Sequence, residues 1–230
     1  ILVILALTGT MAYLGLSIPI AIAIAVLLVI VTISYRQTIH AYPNGGGAYI
    51  VARDNLGEVA AQVAGAALLT DYILTVAVSI SSGVAQIVSA FPDLSPWRVP
   101  MAVGIIAFIT LINLRGVKES GTVFSIPTYF FLGMMFLTLG VGFYRWATGT
   151  LGMVTGVEFA AEAAAPLTLF LVLRAFSSGS AALTGIEAIS NGITAFREPR
   201  SDNASRTLVV MSTLLVTMFL GITFLSRHIG

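Results

Sequence analysis

Three ionisable residues stand inside long apolar stretches of this sequence: Asp71, Arg174 and Glu187. A charge at the centre of a bilayer costs roughly 2.5–3.5 kcal/mol on insertion scales, so such residues face a partner or a water-filled cavity. On a helix turning about 100° per residue, Thr75, Ser79, Ser82, Gln86 and Ser89 all fall within roughly 80° of Asp71. Tyr72 lies beside this stripe. One reading of the stripe is hydrogen bonding between helices, which Ser and Thr supply in membranes. That suits Gln86 and Ser89, near one end of the run. A central carboxylate flanked by hydroxyls instead offers the hard oxygens that strip and replace the water around a small cation. Asp71 with Thr75 and Ser79 is therefore a candidate cation path.

A second group lies on another run, Ser177-Ser178-Gly179-Ser180, then Thr184-Gly185-Ile186-Glu187, then Asn191-Gly192. Glycine weakens a helix interior by about 1 kcal/mol. This density of small and polar residues predicts a break near 184–187, which would free backbone carbonyls to ligate a cation. The alternative is an intact helix packed tightly through small residues. Asp71 and Glu187 are the two candidates for carrying a coupled proton, and the sequence does not choose between them. Arg174 reads either as a snorkelling or ion-paired side chain or as a gate contact on the outer side. His40 and His228 have no ligand pattern around them.

These residues need elements that cross a membrane. Hydrophobic residues make up 57% of the 230 and charged residues 9%. Soluble domains carry about 25% charged residues. With a mean hydropathy of +0.99, lipid must be the solvent for most of the chain. A net charge of +1 attracts no nucleic acid, and the absence of cysteine excludes disulfides and thiolate metal sites. The chain opens on Ile1, shows no cleavable signal peptide and ends just after an apolar run, so it reads as a piece of a longer protein.

A membrane helix needs about 20 apolar residues. Residues 1–7 form a partial run, span 1. Complete runs follow at 13–35, 59–90, 99–114, 123–146, 167–196 and 207–225, spans 2 to 7. The connections 35–57, 115–121 and 197–206 fall on one side by alternation. They hold seven of the eleven basic residues, which makes that side cytoplasmic. Trp97, Tyr144 and Trp146 lie near the outer ends. The outer connection 147–166 holds Glu158 and Glu162 at helical spacing. They read as one side of a short solvated helix or as a feature that attracts cations.

The stretch Pro43-Asn44-Gly45-Gly46-Gly47-Ala48-Tyr49, followed by Leu56-Gly57, resembles the amino acid–polyamine–organocation superfamily. Three further stretches look like the KimA-type potassium importers within it. They are Ser34-Tyr35-Arg36-Gln37-Thr38-Ile39; Asp71-Tyr72 with Thr75 and Ser79; and Leu183-Thr184-Gly185-Ile186-Glu187-Ala188-Ile189-Ser190-Asn191. The resemblance spans the whole chain. It implies an all-α membrane protein of the LeuT-type inverted-repeat fold, with helices 1 and 6 broken at the midplane. Residues 1–230 would then be a partial transmembrane transporter domain, from the end of helix 1 through helix 7. The first repeat would be nearly complete and the second only begun.

The resemblance also implies the activity: potassium uptake coupled to protons at a multi-pass bacterial plasma-membrane protein. The ion would be bound between helices 1, 3 and 6 by Asp71, Tyr72, Thr75, Ser79, Thr184 and Glu187. It implies no cofactor, only transported K+ and H+. Its partners would be the bilayer, a homodimer mate in the full-length protein, and cyclic di-AMP through a C-terminal domain beyond Gly230. The competing reading is a proton- or sodium-coupled amino acid permease of the same superfamily, against which Asp71 argues because it would repel a substrate carboxylate. A membrane-embedded enzyme would need a nucleophile–base pair or metal ligands. The chain has no Cys, no intramembrane His and no His-Glu-x-x-His pattern.

Overall fold

The computed structural model describes residues 16–152 and 168–229. Span 1, Glu158 and Glu162 lie outside the described residues. The regular structure among the described residues is helical throughout: α1 Ser17–Ala41, α2 Gly47–Leu56, α3 Glu58–Ala90, α4 Arg98–Leu114, α5 Val117–Ala147, α6 Leu169–Gly179, α7 Thr184–Asn191 and α8 Arg200–Ile229. Short 3-10 turns occupy Pro92–Trp97, Ser180–Leu183 and Ile193–Ala195. Among the described residues five stretches are long and apolar enough to cross a membrane, and α6 is a shorter apolar helix. Only helices satisfy every backbone group within the segment, as lipid demands of a single spanning chain.

The helix ends follow backbone chemistry more than polarity. Proline disfavours helical backbone in the residue before it. Thus α1 runs past Arg36 to Ala41, and Tyr42, before Pro43, leaves helical geometry with its N–H still donating to the Thr38 carbonyl at 2.8 Å. α3 likewise stops at Phe91, before Pro92. α8 begins at Arg200, directly after Pro199, so much of the expected basic connection 197–206 is the first turns of a helix. α2 was not expected. The connection 35–57 contains this ten-residue helix. α5 starts at Val117, earlier than span 5, and carries Pro127 within it.

The described residues form two units, 16–47 with 132–152 and 168–229, and 48–131. The first has a core of Leu28, Ile39, Ile186, Ile193, Ala204 and Leu208, drawn from α1, α7, α8 and the turn after α7. Lipid tails are as apolar as leucine, so close packing rather than water exclusion must hold such helices together. Small residues provide it. A Cβ placed on Gly179 would overlap the tip of Ile24, and one on Gly221 would lie 3.0 Å from Leu139. One buried polar link joins α1 to α8: the Thr32 and Ser212 hydroxyls are 2.8 Å apart, and Thr32 also reaches its own helix at the Leu28 carbonyl, 2.7 Å. In the second unit α3 packs against α4 and the turn 92–97. The Tyr49 ring lies 3.3 Å from where a Cβ on Gly65 would be, which seats α2 on α3.

Candidate cation site

α3 has 33 residues, about 50 Å at 1.5 Å each. Asp71 lies near its middle. Asp71, Ser79, Ser82, Gln86 and Ser89 are exposed, and Tyr72 and Thr75 are half-buried. The buried residues in the later half of α3 are Val84 and Val88, roughly 220° and 260° round the helix from Asp71. In the later half of α3 the polar stripe therefore points away from the buried side, whereas Ala61, buried nearer the start of the helix, lies on the stripe's side.

The hydroxyls divide into two kinds. A serine or threonine inside a helix can bond the carbonyl four residues back, which leaves it self-contained in lipid. Thr70, Thr128, Thr138, Thr213 and Thr217 do so, at 2.7–2.9 Å. Among the described residues Thr75 and Ser79 make no such bond. Their oxygens stay open on the same side as the Asp71 carboxylate.

The second group lies in the other unit, on the interrupted span 6. The helix gives way to 3-10 geometry over Ser180–Leu183 and resumes at Thr184. The interruption thus falls one turn before the expected position. It is a tightening rather than an unwinding: Ser180 (φ −67°, ψ −10°) and Leu183 (φ −81°, ψ −16°) both keep right-handed helical angles. Ser180 reinforces it, its hydroxyl donating to the Phe176 carbonyl at 2.9 Å. Both readings of the glycines find a place. Gly179 is a packing glycine against Ile24, whereas nothing lies within 4 Å of a Cβ on Gly185.

Thr184 opens α7, and its side chain lies outside the described residues. Glu187 sits in the first turn of α7, where the helix dipole favours a negative charge. It is half-buried with Oε1 enclosed by protein. Ile186 beside it is fully buried and anchors this turn in the core. Asp71, Tyr72, Thr75 and Ser79 thus form one set on α3, and Thr184 and Glu187 a second on α7.

Arg174 is exposed on α6. Both histidines have partners among the described residues. His40 lies 3.5 Å from Asp202 and 2.8 Å from the Arg36 carbonyl. His228 packs on Phe224, ring centres 4.3 Å apart, beside Trp146. The i, i+4 spacing of Phe224 and His228 was the available signal for the second. For His40 the partner is remote in sequence and left none.

The sequence model of the amino acid permease family matches residues 1–227. The potassium transporter KimA of Bacillus subtilis (strain 168) is 47% identical over all 230 residues of this chain, which spans 38% of that relative's length.

Proposed function

Since the chain belongs to the amino acid permease family, we propose that the complete protein is a secondary transporter that takes up potassium together with protons. The observation that carries this reading is the open polar side of α3: a mid-helix carboxylate with two hydroxyls not bonded to their own helix, turned away from the buried Val84 and Val88. Asp71 supplies the charge, Thr75, Ser79 and Thr184 neutral oxygens, and Tyr72 a further hydroxyl. Glu187 supplies a second carboxyl. Either carboxyl group can carry the coupled proton. Likeness along the whole chain to a protein named a potassium transporter supports the choice of ion.

The family's description favours a second reading, an amino acid as cargo. Asp71 weighs against it, since a zwitterion would bring its carboxylate towards a fixed negative charge.

Radioactive rubidium uptake decides between them, measured with the complete protein in cells lacking their own potassium importers. Asp71→Asn keeps the side-chain shape and removes the charge. It is expected to cut uptake at least about tenfold, the equivalent of roughly 1.4 kcal/mol. Glu187→Gln is expected to impair uptake as well. Unchanged uptake by both variants at equal expression sinks the cation site. Accumulation of a labelled amino acid without rubidium uptake would establish the second reading.

A further inference from the structure

The turn between α1 and α2 and the last residue of α7 meet at one end of the first unit. Gly45 and Gly47 have φ of +81° and +43°, the left-handed region open mainly to glycine. Positive φ alone would admit asparagine. A second constraint does not. A Cβ on Gly45 would lie 3.0 Å from the Asn191 carbonyl oxygen, and a Cβ on Gly47 would overlap Asn191 Oδ1. Gly47 is buried. Asn191 is the last residue of α7, and Ile193, two residues on, is fully buried in the core with Leu28, Ile39 and Leu208. The turn is therefore fitted to a point anchored on one side by that core and joined on the other, through one turn of α7, to Glu187.

We infer that Asn191 is a positioning residue that holds the glycine turn 43–47 against the end of α7, and that each transport cycle releases and remakes this contact. The inference rests on the transporter reading above. It assigns Asn191 no contact with the cargo. Its effect is on the rate at which the helix bearing Glu187 moves, so substitutions here change the maximum rate and not the affinity for the ion.

The test uses the complete protein and rubidium uptake over a range of concentrations. Gly47→Ala forces a methyl group onto Asn191 and is expected to lower the maximum rate about tenfold, with the half-saturating concentration held within about twofold. Asn191→Ala is expected to lower the maximum rate about threefold. Combined, the two are expected to lose much less than the product of the single losses, because the smaller side chain removes the overlap and leaves only the backbone strain of alanine at the positive φ of position 47. Gly57→Ala is the control: φ is +91° there, but nothing lies within 4 Å of the added Cβ. Its loss should multiply with that of Asn191→Ala. The inference is overturned if the Gly47→Ala and Asn191→Ala losses multiply, or if half-saturation moves in step with the rate.

A second arm needs no transport. In open membranes, thiol labelling of Ser190→Cys, buried beside Asn191, should be slow and should accelerate when Gly47→Ala is added. Unchanged labelling overturns the contact. If the unsubstituted protein takes up no rubidium, the potassium reading fails, and the labelling comparison alone decides the role of Asn191.

Discussion

A threonine inside a membrane helix either bonds its own backbone or offers its oxygen elsewhere. Thr70 and Thr75 are one turn and a residue apart on α3 and differ in this way: Thr70 donates to the Ala66 carbonyl at 2.9 Å, and Thr75 does not bond its own helix. Thr75→Val is therefore expected to raise the half-saturating rubidium concentration by about threefold, within the usual worth of one hydrogen bond. Thr70→Val should leave it unchanged, and an equal effect of both would remove the distinction. The stripe itself was legible from spacing, because Asp71, Thr75 and Ser79 share one side of any straight helix. Which hydroxyls stay open was not legible, since that depends on side-chain torsions rather than on residue order. The pairing of Asn191 with Gly45 and Gly47 was equally hidden. The glycine run announced a turn but not what the turn would press against.

For whole elements, composition told more about existence than about limits. The small and polar residues of span 6 did interrupt it, as their density implied. The interruption settled at Ser180–Leu183 rather than at 184–187, where Gly179 meets Ile24 and the Ser180 hydroxyl ties back to Phe176. Those contacts are tertiary or rotameric and leave no mark on a hydropathy pattern. The two glycines consequently make opposite predictions. Gly179→Val is expected to destabilise the protein by about 1–3 kcal/mol, the usual cost of overfilling a packed contact. Gly185→Ala, with open space around it, is expected to stabilise by about 0.4–1 kcal/mol through loss of chain freedom in the unfolded state. Thermal unfolding in detergent gives both signs. Destabilisation by both would mean that the segment around Gly185 is packed as closely as that around Gly179. The helix ends at Tyr42 and Phe91 were marked by Pro43 and Pro92, whereas the run of apolar residues had suggested that α1 stopped at Tyr35. α2 was missed because Gly47–Leu56 mixes Arg53, Asp54 and Asn55 with apolar residues in a segment too short to show periodicity.

At the level of the whole molecule, orientation follows from counting charge. By alternation of the spans Arg36, Arg53, Arg115, Lys118, Arg197, Arg200 and Arg206 fall on one side and Arg98, Arg145 and Arg227 on the other, so the first side is expected to face the cytoplasm. Asn44→Cys is expected to react with an impermeant thiol reagent only after the cells are opened, and Gly152→Cys to react in intact cells. The converse pattern would invert the orientation. The place of Asp71 near the middle of α3 has an electrical consequence in this frame. If the proposed site is right, a monovalent cation that reaches Asp71 from outside crosses about half of the membrane potential. Moving a full elementary charge through 100 mV is worth about 2.3 kcal/mol, so half that passage changes the binding free energy by about 1.2 kcal/mol, close to sevenfold in affinity. On the proposed reading, the voltage across the membrane acts on this carboxylate as a second substrate, and depolarisation would weaken the hold on the ion before any residue of the site has changed.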